Sequence, residues 1–182
     1  ITSAVIKALK QETGSILVFL PGVRDIQNVH QELQQQLPAI PKQDNSAQTI
    51  SIHPLYGQLS DKEQQAAIQA SAGNERKIVL ATNIAESSLT IEGVRIVIDS
   101  GLEKQLNYNP RSAMNALITQ KISQASATQR AGRAGRIEAG VCYRLWSEQQ
   151  HQSLEAHGSA EISRIELSDL VLNIAQWGAE VD

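Results

Sequence analysis

Residues 76–99 read RKIVLATNIAESSLTIEGVRIVID, and their order decides the fold. Two short apolar runs, Arg76–Ala81 and Val94–Asp99, flank a polar connection rich in hydroxyl and amide side chains. A brief, continuous apolar run with β-branched residues reads as a strand buried on both faces, the habit of parallel sheets. The same habit recurs at Ser15–Leu20 (SILVFL), closed by Pro21-Gly22, while Thr49–His53 and Val141–Trp146 read as further strands. Between these runs the spacing turns helical. Ala4, Ile6 and Leu9 mark a first helix ending near Gly14, and Ile26, Val29, Leu33 and Leu37 mark a second over Val23–Leu37. Ser60, with Glu63 three residues on, forms a capping box for a third helix that Ala72-Gly73-Asn74 should end. Strands alternating with helices predict an α/β domain: a parallel sheet flanked by helices.

The rhythm breaks after Asp99. Leu102–Tyr108 and Leu117–Ser123 are joined by the turn signal Asn109-Pro110-Arg111-Ser112, which predicts a projecting β-hairpin. Helix returns at Ser126–Arg133 and Ser147–Ala156, and Pro38–Ala47 reads as a polar loop. After a break at His157-Gly158-Ser159, Glu166–Trp177 is a strongly amphipathic helix that suits a following domain.

With 182 residues, 41% hydrophobic and 19% charged, the chain can bury one α/β core and begin a second region, and it is too apolar for a disordered tail. Only 3% of residues are aromatic, so Ile, Leu, Val and Ala must build the core, which argues against an aromatic platform for stacking single strands. The net charge of −3 argues against bulk electrostatic binding of nucleic acid. From Lys104 to Arg136, however, six basic residues occur with no acid, whereas eight acids follow from 137 to 182, which predicts a local basic surface. The single cysteine, Cys142, excludes an internal disulfide and a multi-cysteine zinc site, and it reads as a small buried hydrophobe in a reducing, cytoplasmic compartment. No apolar run is long enough to span a membrane. His30 and His53 lack a second ligand at metal spacing, and Tyr56, Tyr108, Trp146 and Trp177 read as packing or interdomain residues.

Chemistry concentrates in two segments. Gln129–Arg136 reads QRAGRAGR. If the helix continues, Gln129, Arg133 and Arg136 fall within about 60° of one another and Arg130 points elsewhere. Guanidinium forks match phosphate oxygens, and Gly132 and Gly135 would only weaken a solvated surface helix. The second segment, Ala81–Gly93, follows a buried strand, where ligands bind parallel sheets. Thr82, Asn83, Ser87, Ser88 and Thr90 there offer groups suited to phosphates. No GxxxxGK[ST] phosphate loop and no Asp-Glu magnesium motif occurs, so the chain cannot hold a nucleoside triphosphate alone in the usual way.

ATNIAESSLTIEG resembles motif V, and QRAGRAGR motif VI, of the DEAH-box group of superfamily 2 helicases; SILVFLPG resembles motif IV and PLYGQLS motif IVa. LPGVRDI, TIEG and ISQASATQRAGRAGR look most like the bacterial HrpB-type members. The resemblance covers nearly the whole chain. It implies a second RecA-like domain over 1–160, then a linker and the first helix of a winged-helix region over 161–182. It also implies that ATP and Mg²⁺ are held mainly by a first RecA-like domain outside this sequence.

Carried over, Arg133 and Arg136 would be arginine fingers and Gln129 would orient the attacking water. Ser88 and Thr90 would sense the γ-phosphate. Glu92 stands where relatives use Asp for the ribose, and Ala67-Ile68 replaces an aromatic under the base, so Ile68 implies loose base selectivity. Thr82, Asn83 and Arg24 would meet the backbone of single-stranded RNA, and Lys104, Arg111 and Lys121 would place positive charge on the hairpin. Two other readings stay open: a nonenzymatic RNA- or protein-binding module, and a motor acting on DNA.

Overall fold

The structure, a computed structural model, describes residues 1–37, 49–71, 73–87, 89–112, 114–134 and 139–178. Five strands form one wholly parallel sheet: β1 (Ser15–Phe19), β2 (Thr49–Leu55), β3 (Glu75–Ala81), β4 (Val94–Asp99) and, after the hairpin, β7 (Val141–Arg144). Their order is β2-β3-β1-β4-β7, so β1 sits at the centre. Hairpin strands β5 (Leu102–Asn109) and β6 (Met114–Lys121) pair separately and antiparallel. The helices are α1 (Thr2–Gln11), α2 (Val23–Gln36), α3 (Asp61–Ile68), α4 (Ile84–Ser87), α5 (Gln124–Ala131), α6 (Glu148–Gln152) and α7 (Ser168–Gln176).

Period-two alternation along the central strands divides the core between the two faces. Ile16, Val18, Ile78, Leu80, Ile96 and Ile98 pack with Val5 and Ala8 of α1 and Ile26, Val29 and Leu33 of α2. Leu17, Phe19, Val79, Ala81 and Val97 pack with Ala67 of α3, Ala85 of α4 and Ala134. Both faces are thus covered, which is why the central strands read as unbroken apolar runs.

Two charges start one of those strands. Arg76 and Lys77 are nearly fully buried and, as neighbours on β3, serve opposite faces. Arg76 donates to the carbonyls of Gly14 at 2.6 Å and Leu9 at 2.9 Å, closing the end of α1. Lys77 Nζ donates to Ala66 O at 2.8 Å and Gln69 O at 2.7 Å, closing the end of α3. Each places a cation on carbonyls that a helix C-terminus leaves unpaired. This cap helps explain why α3 stops at Ile68 rather than running to the Ala72-Gly73-Asn74 signal. Its start is as expected: Ser60 Oγ accepts from Glu63 N, and the Glu63 carboxylate accepts from Ser60 N at 3.0 Å.

Several boundaries move. The α1 residues Thr2, Val5 and Ala8 are buried, while Ala4, Ile6 and Leu9 only flank the core. Helix α5 begins after Ser123, whose hydroxyl accepts from Ser126 N at 3.1 Å, and α6 is shorter than expected. The hairpin does not stand free, because Tyr108 N donates to Arg164 O at 2.8 Å and Arg164 Nη1 to Leu106 O at 3.3 Å. Trp177 is 85% exposed, so it is no core residue within this chain, whereas Trp146 packs against Gly101. The Pro38–Ala47 loop lies outside the described residues. Among the described residues no helix is long and apolar enough to cross a membrane.

Candidate functional site

Phe19, Ala81, Leu55 and Asp99 end their strands in register, so the segments that follow them share one edge of the sheet. The chain leaves β3 with Thr82 N donating to Leu55 O at 3.2 Å, a bond that carries the β2–β3 pairing one residue past the strand. The carbonyls of Thr82 and Asn83 then accept from Ala85 N at 3.3 Å and Glu86 N at 2.9 Å, opening α4. Thr82 is half-buried and Asn83 exposed. On the far side of this segment, Glu92 N donates to Ile68 O at 3.1 Å. The two residues expected near a nucleoside, Ile68 and Glu92, are therefore brought together although 24 positions apart; Glu92 is exposed and Ile68 half-buried.

Helix α5 lies against this loop, and Arg130 is its anchor. Its side chain is 1% exposed. Its Nε donates to Glu86 Oε2 at 2.9 Å, its Nη1 to Asp99 Oδ1 at 3.1 Å and to Leu102 O at 3.2 Å, and its Nη2 faces Glu103 Oε2 at 3.6 Å. Its Cζ sits 4.9 Å over the Phe19 ring, a cation–π contact in a desolvated place. One cation thus meets three carboxylates. Burial pushes the Asp99 carboxyl above its ordinary range despite Arg130 beside it, and Glu103 is pushed the same way by the same cause. Asp99 Oδ1 also accepts from Gly101 N at 2.9 Å, while Oδ2 has no partner among the described residues.

Arg133 overturns the expected shared helix face. Helix α5 ends at Ala131, and the chain passes Gly132 into a tighter turn in which Arg133 N donates to Arg130 O and Ala134 N to Ala131 O, each at 3.1 Å. Gly132 is the cap, with right-handed dihedrals, and the tightening to bonds three residues apart ends the regular 100° spacing there. The Arg133 side chain is buried, with Nη1 donating to Leu89 O at 2.6 Å and Nη2 to Glu86 O. It fastens the end of α4, as Arg76 and Lys77 fasten α1 and α3. Gln129 stays exposed on α5. Arg136 and Ser88 lie outside the described residues.

The basic set is less of a surface than its acid-free run implies. Arg130 and Arg133 are buried, and the acids that face Arg130 come from Glu86, Asp99 and Glu103, all earlier in the chain. What remains open is divided. Leu102 opposes Lys121 and Lys104 opposes Thr119, so Lys104 and Lys121 share one hairpin face. Arg111 sits in the exposed turn, roughly 20 Å from Lys104 at about 3.3 Å per residue. Lys104 also lies over the start of α2, where a Cβ on Gly22 would come within 2.9 Å of its Nζ, and Arg24 is exposed two residues further on. Thr90 is exposed on the loop after α4. Among the described residues no group of three His, Cys, Asp or Glu is placed to hold a metal ion.

The helicase conserved C-terminal domain family matches residues 2–138. The chain belongs to that family. This helicase C-terminal domain is 44% identical over 175 residues to a protein named ATP-dependent RNA helicase HrpB from Escherichia coli K12, covering 96% of the chain and 20% of that protein. It is 40% identical over 179 residues to one named ATP-dependent RNA helicase HrpA from Borreliella burgdorferi, covering 98% of the chain and 21% of that protein. The chain therefore spans about a fifth of the length of these relatives. Two crystal structures of Escherichia coli HrpB, one titled a DExH-box NTPase and the other a DEAH/RHA helicase, superpose with TM-scores of 0.84 and 0.88 at 44% and 43% identity. Those matches cover 98% and 99% of the chain and 21% and 22% of the solved chains. The fold is the RecA-like α/β domain that the motifs imply.

Sequence reasoning missed the Arg130 cluster. A signal was present: Asp99 ends an otherwise apolar strand, and a buried carboxylate at that edge calls for a cation.

Proposed function

We propose that this chain is the C-terminal motor domain of an ATP-dependent RNA helicase. Its share of the chemistry would be to present Gln129, Arg133 and Arg136 to a triphosphate seated mainly on another RecA-like domain. The observation that carries this reading is 44% and 40% identity, across nearly the whole chain, to two proteins named ATP-dependent RNA helicases.

Thr90 and Ser88 would meet the γ-phosphate, and Glu92 and Ile68 the nucleoside. The backbone bond between Glu92 and Ile68 supports the second pairing. ATP and Mg²⁺ would be held mainly by the first RecA-like domain; near α5, Glu86 and Asp99 are engaged by Arg130. Thr82, Asn83, Arg24, Lys104, Arg111 and Lys121 would contact the RNA backbone, which positions a strand without reading its sequence. Residues 1–160 would form the domain and 161–182 the linker and first helix of a winged-helix region, a reading supported by the exposed Leu170, Leu172 and Trp177 around α7. The compartment would be the cytoplasm.

Arg133 acts in this scheme by exchange. Its guanidinium would leave the neutral carbonyls of Glu86 and Leu89 for phosphate oxygens, and charge-assisted bonds to phosphate are the stronger. The test is RNA-stimulated ATP hydrolysis by the full-length protein, wild type against Arg136→Ala and Arg133→Ala, with RNA affinity measured alongside. A loss of about 10³-fold in turnover with RNA binding retained supports fingers. Retained turnover with weaker RNA binding and a smaller salt slope makes the arginines backbone contacts.

A further inference from the structure

Arg130 is the largest fully buried side chain among the described residues, the proposed chemistry does not use it, and its partners come from three different elements. Glu86 is on α4, next to the Thr82-Asn83 loop. Asp99 ends the sheet, and Leu102 and Glu103 begin the hairpin. We propose that Arg130 is a positioning residue that couples the 82–90 loop to the β5–β6 hairpin. The use of that coupling, relaying the state of the nucleotide loop to the hairpin, rests on the function proposed above; the coupling itself does not.

Three features carry the inference. The guanidinium is planar, and its nitrogens are divided by direction, with Nε on the α4 side, Nη1 on the sheet and hairpin root, and Nη2 on Glu103. Phe19 beneath the plane removes the freedom to tilt. Finally, one positive charge faces three carboxylates, so a shift toward Glu86 weakens what Glu103 receives. Asp99 is fully buried, whereas the Glu86 and Glu103 side chains keep 16% and 15% exposure, so the two ends can change state while the centre stays dry. Glu86 of α4 is gripped twice, by its carboxylate through Arg130 of α5 and by its carbonyl through Arg133 in the turn that follows α5. Whatever draws Arg133 off that carbonyl leaves Arg130 as the guanidinium still holding Glu86, beside the buried packing of Ala85, and the hairpin root hangs on the same guanidinium. Coupling between two sites is reciprocal, so a disturbance entered from either end must appear at the other.

The test is hydrogen exchange by mass spectrometry on the full-length protein without nucleotide or RNA, in Glu86→Gln, Glu103→Gln, the double variant and Arg130→Lys. Both glutamines are near-isosteric changes at partly exposed positions, so folding survives even if Arg130 variants do not fold. Glu86→Gln is expected to speed exchange in the hairpin, 102–109 and 114–121, by roughly 5-fold or more, and Glu103→Gln to do the same in 82–87. The double variant should show less than the product of the two effects. Arg130→Lys, which keeps the charge and loses the fork, should loosen both elements. If each glutamine change affects only its own element, or the effects multiply independently, Arg130 is a local fastener and the proposal is wrong. Protection restored by lysine in both elements would likewise overturn the fork geometry. A protein that lacks RNA-stimulated hydrolysis would defeat the proposed function while leaving these exchange results untouched.

Discussion

Arg133→Ala should unfold this domain more readily before it says anything about catalysis. Arg133 is 8% exposed, and its guanidinium donates to the carbonyls of Glu86 and Leu89 at the close of a four-residue helix. A hydrogen bond to a charged group contributes about 1.5–3 kcal/mol, and a buried carbonyl left alone costs about 1–3 kcal/mol. Water can reach part of the vacated space, so the expected loss is about 2–4 kcal/mol. For a chain of this size that lowers Tm by roughly 5–15 °C.

Urea denaturation of the 182-residue chain measures it, with Gln129→Ala as the reference. Gln129 is exposed on α5 and its truncation should stay within about 0.5 kcal/mol of wild type. Arg133→Lys should fall between, since one ammonium keeps the charge but not the two-pronged reach. If Arg133→Ala unfolds within about 0.5 kcal/mol of wild type, the guanidinium does not hold α4, and the exchange of carbonyl for phosphate loses its starting state. The same reasoning governs the turnover assay. Loss of hydrolysis in Arg133→Ala mixes a missing finger with a loosened loop, so it must be read against the folded fraction and beside Arg136→Ala.

Two further outcomes test the packing. Gly101 has φ +74°, and a Cβ there would sit 2.7 Å from the Trp146 ring, so Gly101→Ala should cost about 2–4 kcal/mol by thermal melting, from left-handed backbone and overpacking together; an unchanged Tm would refute that placement. Burial pushes the Cys142 thiol up from 9.0 to about 11. At pH 8 the folded chain should then react with iodoacetamide about 100-fold more slowly than the unfolded chain, since two pKa units lower the thiolate fraction by that factor. The folded pKa is the higher one, so this group's contribution to stability is intact below pH 9 and is lost as pH rises from 9 through 11. Equal labelling rates would place Cys142 in water.

The elements were legible because burial writes itself into periodicity. Ser15–Phe19 and Glu75–Ala81 are buried on both faces and read as apolar runs, Ile26, Val29 and Leu33 recur at helical spacing, and Asn109-Pro110-Arg111-Ser112 falls at the hairpin turn. Helix ends were less legible where a distant residue decides them. Lys77 closes α3 from eight positions beyond Gln69, and no local pattern announces it. The candidate site divides in the same way. That Glu92 and Ile68 meet was implied by resemblance and not by spacing, and the face shared by Gln129 and Arg133 rested on a helix that Gly132 ends.

Counting charge by segment failed for a physical reason that also explains the architecture. A run of basic residues is a surface only if its partners are absent in space, and sequence distance does not report that. Arg130 finds Glu86, Asp99 and Glu103 from 44, 31 and 27 positions away, and Arg133 finds carbonyls at the end of α4. Arg76, Lys77 and Arg133 each place a buried cation on the last carbonyls of a different helix, where backbone dipoles supply negative potential. Carbonyls carry no formal charge, so segment arithmetic, which counts only acids and bases, does not register what they hold. Arg130 is the opposite case, surrounded by more acid than it can neutralise. A guanidinium on neutral carbonyls can be drawn away by a stronger anion, whereas one held by carboxylates in a dry site cannot leave without stranding them. Within one motif the chain thus sets an arginine held by carboxylates three residues before one that donates to carbonyls. The division falls at Gly132, where the helix that carries the first gives way to the turn that carries the second.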